Sequence, residues 1–177
     1  MDRQATGQGI GASAPTAGPI QYRLDSQIAP APGLGRTGFA LGARVATQEG
    51  LLPVEYLSLG DRVITRSGAR VLRAITSLPL ISNLVRIAPG ALGHNRPGAA
   101  LVLGAGTRVL LRDWRAQALF GAPQALVPVV RLLDGQFITR ETGRKTRLFA
   151  LHFDTAEVVY ADGVEIGCTP LKVQTGA

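Results

Sequence analysis

Residues 38–68 read GFALGARVATQEGLLPVEYLSLGDRVITRSG. Within them Arg44 to Thr47 (RVAT) and Arg62 to Thr65 (RVIT) alternate long polar side chains with β-branched ones, the period of two that half-buried strands require. Two short strands are therefore expected on either side of a connector. In that connector Pro53 suits the first position of a single helical turn, Val54 and Leu57 fall three apart on one side of it, and Gly60-Asp61 ends it. Ser67-Gly68 then turns the chain toward Val71 to Ile75, a third apolar run.

Beyond this stretch, short apolar runs recur at intervals of about ten residues between Gly, Pro and Asp, an all-β pattern. One helix is expected. Asp113 can cap Trp114 to Phe120 (WRAQALF), which brings Trp114 and Ala118 together at i, i+4 before Gly121 stops it. A chain of 177 residues with 46% hydrophobic content can bury one good core. Residues 1–36 differ from the rest. They are rich in Gly, Ala, Pro, Ser, Thr and Gln, with few large apolar side chains, and read as a disordered leader. The single domain is expected over residues 37–170, followed by a C-terminal tail over 171–177.

The charge is strongly basic. Nineteen Lys and Arg face twelve Asp and Glu, a net +7, yet aromatic residues make up only 5% and none interleaves with the one basic cluster, Arg144-Lys145-Thr146-Arg147. Nucleic-acid binding is therefore a minor reading, and a solvated loop the expected one. After Met1-Asp2-Arg3 come polar and glycine residues rather than an apolar signal segment, and no apolar run is long enough to span a membrane. A soluble protein with no membrane partner is expected, either cytoplasmic or exported by a non-classical route.

The order of pieces in residues 38–68 resembles the Hint module of the hedgehog/intein superfamily, in particular a bacterial branch of stand-alone Hint domains. The branch pattern is roughly C-F-x-x-G-T-x-I-x-T, then G, then P-V-E-x-L-x-x-G-D-x-V-x-T-x-D-G. Here Phe39, Gly42, Val45, Thr47, Gly50, Pro53, Val54, Glu55, Leu57, Gly60, Asp61, Val63, Thr65 and Gly68 fall in register. Leu84 to Leu92, Leu101 to Arg112, Leu126 to Leu133 and Phe153 to Gly163 resemble later blocks, so the likeness covers about Thr37 to Pro170. It implies an all-β horseshoe of two pseudo-symmetric halves, with a short helix and a central cleft.

A Hint module cuts by attack of its first side chain on the preceding carbonyl, an acyl shift that needs a strong nucleophile. At that position stands Gly38, which has none. The family histidine, proton donor to the scissile amide, precedes the R-V-L-L strand, where this chain has Thr107. The positions of further family histidines hold Ala150 and Ala156. Asparagine cyclisation at the module's end is missing too, since the only asparagines are Asn83 and Asn95. The resemblance therefore implies a Hint fold that has lost its reaction.

Other candidates have plainer readings. Thr37, one residue early, offers a secondary hydroxyl without a base. Cys168, the only thiol, reads as a small buried apolar residue, its distance in sequence from Gly38 supporting that. His94 and His152 are too few and too far apart for a metal site, and no cofactor is expected. In a strand from Leu148 to Phe153, His152 shares a face with Leu148 and Ala150. Asp154 and Glu157 are candidates for an acid–base pair, but Asp154-Thr155-Ala156 reads as a hairpin turn between Leu151 to Phe153 and Val158 to Ala161. Gly104-Ala105-Gly106 lacks the third glycine of a nucleotide-binding loop, position 109 being Val109.

The expectation is a degenerate Hint domain, inactive in autoprocessing, that serves as a binding or structural module. No catalytic residue is expected; Gly38 and Thr107 mark the vacated positions, and the own N-terminal segment or a peptide is the expected occupant of the cleft. The alternatives are an active self-cleaving domain using Thr37 or another non-standard nucleophile, and a basic surface that binds an anionic polymer. Installing Gly38→Cys with Thr107→His is expected to restore slow cleavage after Thr37.

Overall fold

The computed structural model describes residues 35–80 and 83–171. The chain opens with β1 (Phe39–Ala40) and β2 (Arg44–Thr47), then β3 (Gly50–Pro53), a 3-10 turn η1 (Val54–Tyr56), β4 (Arg62–Thr65) and β5 (Gly68–Val71). Next come β6 (Ala74–Leu80), β7 (Leu84–Ile87), β8 (Leu101–Gly104), β9 (Arg108–Leu111) and the helix α1 (Trp114–Phe120). The last elements are β10 (Ala125–Pro128), η2 (Val129–Leu132), β11 (Ile138–Glu141), β12 (Thr146–His152), β13 (Glu157–Ala161) and β14 (Val164–Cys168). Two antiparallel sheets result. One has six strands in the order β11-β7-β8-β1-β12-β6; the other has eight, in the order β10-β9-β14-β13-β2-β4-β5 with β3 paired to β2. The expected all-β architecture is present.

β2 and β4 have the expected bounds and the same burial pattern, exposed, buried, half-buried, buried. Val45 and Val63 point into the core with Phe39, Val54 and Leu57, so the apolar positions of the opening motif are core positions. Each such side chain contributes about 1.5–3 kcal/mol by leaving water. The motif's polar positions close turns instead. The hydroxyls of Thr47 and Thr65 accept from the amides two residues on and sit 2.8 Å from the carbonyls of Gly50 and Gly68, so both hairpins carry the same T-x-x-G lock. Glu55 accepts from the Gly42 amide, and Asp61 from that of Ser58.

Four expectations need correction. The connector contains a strand, β3, and Pro53 ends it and precedes η1 rather than occupying the first helical position. The Val71–Ile75 run is broken at Leu72-Arg73, where the chain passes from the eight-stranded sheet to the six-stranded one. Asp154–Ala156 is likewise a crossing between sheets and not a hairpin turn, since β12 pairs with β1 and β6 while β13 pairs with β14, β2 and β4. The helix has the expected bounds, its Asp113 cap accepting from the Arg115 amide and Gly121 ending it in the left-handed region. It buries Ala116, however, and leaves Trp114 and Ala118 exposed. A helix of about two turns lying on the body of the protein buries a single small contact residue.

The eight-stranded sheet also buries three carboxylates, each answered by arginine. Asp162 meets Arg44 at 2.7 Å, Glu157 meets Arg70 at 3.2 Å, and Glu165 lies between Arg66 and Arg112 at 3.3 and 2.9 Å. Buried charge persists only when paired in this way. The disordered-leader reading for residues 1–36 lies outside the described residues except at Gly35 and Arg36. The tail reading over 171–177 does so except at Leu171, whose amide donates to the Phe153 carbonyl.

Candidate functional site

The two sheets meet where β8 leads into β9 through Gly104-Ala105-Gly106-Thr107. Gly38 precedes β1 on one side of this crossing, and Thr107 precedes β9 on the other. The structure brings the two together. The Thr107 hydroxyl accepts from the Gly38 amide at 2.9 Å and lies 3.1 Å from the Gly38 carbonyl, to which it donates. That carbonyl also accepts from the Gly104 amide at 3.0 Å, and the Thr107 backbone is held through Gly104 and Val129.

The segment before Gly38 continues this pairing. Phe39 faces Leu103, Gly38 accepts from Gly104, and Arg36 accepts from Gly106, so residues 36–38 extend β1 along β8 beyond the regular ladder. Close approach requires glycine here: a Cβ at Gly104 would collide with the Arg36 carbonyl, and one at Gly106 with that of Gly35. The glycines that faintly resemble a phosphate loop thus make room for the protein's own chain.

Gly38 has φ of +139°, and a Cβ built on it would stand 2.8 Å from the Phe149 carbonyl oxygen on β12. A cysteine at this position therefore meets both a disfavoured backbone angle and a fixed strand. The expectation that Gly38→Cys with Thr107→His restores cleavage is opposed by this geometry.

A cavity of about 30 Å³ lies beside the pair, lined by Thr37, Gly38, Thr107, Arg108, Ala150, Cys168 and Thr169 among others. It has room for a water molecule or two rather than a peptide. Cys168 is here because β14 pairs with β9, Ile166 facing Val109 and Gly167 facing Arg108. Its separation from Gly38 in sequence was no guide to its place. Burial, and then the nearby Glu157 carboxylate, push its thiol up to about 12, so it is protonated at neutral pH. Arg108 is held below its ordinary value by burial and then by Arg131. Neither side chain is a base.

The other candidates lie elsewhere. His152 is half-buried, with its ring nitrogens 3.0 Å from the Thr76 hydroxyl and 3.2 Å from that of Thr169; burial lowers its pKa. Asp154 pairs with Arg73 at the surface, while Glu157 is buried against Thr65, Arg70 and Thr155, so the two do not act as one acid–base pair. Ala156 is buried in a small cluster with Leu110, Leu126 and Val158. His94 is exposed, and among the described residues no three potential ligands gather for a metal. Among them, too, no helix is long and apolar enough to cross a membrane.

Chemically, the site joins a glycine and a neutral hydroxyl around one peptide unit, with a protonated thiol on the wall of the same cavity. The Gly38 nitrogen gives its hydrogen to Thr107, which leaves the amide planar and conjugated. A proton donor at the same place would act in the opposite sense.

Known structures share this arrangement of strands. The gp41-1 intein is similar over 74% of this chain and 98% of its own, with a TM-score of 0.50 and 10% identity. The bacterial intein-like domain from Clostridium thermocellum is similar over 76% of this chain and 99% of its own, with a TM-score of 0.55 and 13% identity. No curated protein matches the chain. The sequence model of the Hint domain matches residues 37–168. With most of its length matched by that model and its strands laid out as in two intein-type structures, the chain belongs to the Hint domain family.

Proposed function

We propose that this is a Hint domain that does not cut itself after Thr37 and works as a binding or structural module, keeping its own upstream residues where a cleaving relative releases them. The observation that carries the reading is the closed pair of hydrogen bonds between Thr107 and Gly38, at the position where the family's reaction needs a proton donor and a nucleophile. The pairing of residues 36–38 with β8 supports the own N-terminal segment, rather than a foreign peptide, as the occupant of the cleft.

The test is the intact mass of the full chain after prolonged incubation with thiol, and separately with hydroxylamine, which also traps esters. The full-length mass is expected throughout. Loss of the segment ending at Thr37 would sink the proposal. One observation favours the active alternative, namely that Cys168 shares the cavity with Gly38. If cleavage occurs after Thr37 and Cys168→Ala abolishes it, that thiol is the nucleophile; loss of a segment ending at Arg36 instead marks the Thr37 hydroxyl, which attacks the carbonyl before it.

A further inference from the structure

We propose that the hollow between the 88–97 turn and the start of α1 binds a small aromatic phosphate, with a nucleoside monophosphate as its representative ligand. The hollow measures about 340 Å³ and is lined by His94, Arg96, Arg112, Trp114 and Arg115 among others. That size lies within the range of small-molecule sites, about 300–1,000 Å³. It is well apart in sequence from Gly38 and uses none of the residues around it.

Charge selects an anion. Three arginines, Arg96, Arg112 and Arg115, line the hollow with one carboxylate, Asp113, and Glu165, which pairs with Arg112, pairs with Arg66 as well, which leaves a surplus of two positive charges. Glu165 is satisfied by Arg66 and the Nε of Arg112. Arg96 spends only its Nε, on the Gly93 carbonyl at 3.4 Å. The terminal nitrogens of Arg96 and Arg112 therefore hold no partner among the described residues, and both side chains line this hollow and the smaller one beside it. Guanidinium forks match phosphate oxygens in pairs, and two of them suit a group carrying more than one negative charge.

Trp114 selects the aromatic part. The residue is 71% exposed, with the Arg115 guanidinium 5.7 Å from the ring centroid on one face. Arg115 is fixed by Asp113 and by the Ala91 carbonyl, so it holds the indole rather than the ligand. A large exposed indole at the rim of a basic hollow offers a planar ring the stacking partner that no core contact uses. A single aromatic side chain stacks one base, which argues for a ligand of mononucleotide size rather than a tracked strand.

Trp114 is the sole tryptophan, so its emission reports this site alone. The full chain is titrated with adenosine monophosphate. Saturable quenching is expected, reversed by millimolar inorganic phosphate, weakened by salt, and about tenfold or more weaker for adenosine, which lacks the phosphate. Arg96→Gln should weaken binding by about tenfold with an unchanged circular dichroism spectrum, while Arg140→Gln on β11 should leave it intact. A short oligodeoxynucleotide that binds no tighter than the monophosphate marks a free nucleotide as the source; tighter binding marks a strand end. Quenching without saturation, equal response to adenosine, or full affinity in Arg96→Gln would overturn the proposal. Should Arg96→Gln not fold, Trp114→Ala measured by calorimetry decides, since its exposed ring supports no core: lost affinity supports the site and retained affinity overturns it.

Discussion

Gly38→Ala is the smallest change that asks whether any side chain can be accommodated at this position, because it adds the one carbon that every side chain there must have. The backbone at φ of +139° is in a region that L residues rarely adopt. Holding a non-glycine residue there costs about 1–3 kcal/mol. The new carbon also stands 2.8 Å from the Phe149 oxygen and 3.1 Å from its carbon. Those atoms are backbone of β12, paired with β1 on one side and β6 on the other, so they cannot swing away. Such overpacking adds about 1–3 kcal/mol. The expected loss is about 2–6 kcal/mol, against a typical domain stability of about 5–15 kcal/mol. Urea unfolding measures it: with a slope of about 2 kcal/mol/M, the midpoint should fall by about 1–3 M. Gly38→Cys should lose as much, and Gly38→Cys with Thr107→His should be poorly folded and uncleaved. An alanine variant within about 0.5 kcal/mol of the parent, or a folded double variant that cleaves with thiol, would refute the reasoning.

Three further outcomes are expected. Thr107→Val should destabilise by about 1–3 kcal/mol, because the Gly38 amide loses its acceptor while the Gly38 carbonyl keeps Gly104, and Thr107→Ser should be nearly neutral; equal melting of the two variants would count against the bridge. Cys168 should react with iodoacetamide in the native state far more slowly than in urea, as a buried thiol pushed up to about 12 must; fast native labelling would show an activated group. Asp134 accepts from the amides of Ile138, Gln136 and Phe137, which hold its carboxyl below the usual range. Its stabilising effect is then full above about pH 4 and lost as pH falls through the lowered value, so the stability gap to Asp134→Asn should close on acidification; a gap that does not change with pH would contradict this.

Elements defined by local chemistry were legible in the sequence. β2 and β4 declare themselves by alternation, and α1 by an aspartate before and a glycine after. β3 escaped because Gly50-Leu51-Leu52-Pro53 lies at a sheet margin, exposed in its first half, and shows no alternation. Its signal was the second T-x-x-G: the spacing that marks Ser67-Gly68 as a turn also occurs at Glu49-Gly50. Partner choice was the harder matter. Asp154-Thr155-Ala156 has turn residues whether the next strand returns to the same sheet or leaves it, so local composition could not decide. Cys168 escaped for a related reason, since only the non-local pairing of β14 with β9 brings it to Gly38. Glu157, Asp162 and Glu165 gave no sign of burial either. Their arginine partners come from positions 44, 66, 70 and 112, distant in the chain. Each of those four arginines answers a buried carboxylate.

The run of residues 36–38 along β8 also fixes how the domain would respond to force. Anything joined upstream of Gly35 pulls along the axis of β1, between β8 and β12, while the bonds from Gly104 and Gly106 lie across that axis. A tug from that side loads these bonds together in shear instead of opening them one by one. The entrance of the chain is thus loaded as a mechanical clamp.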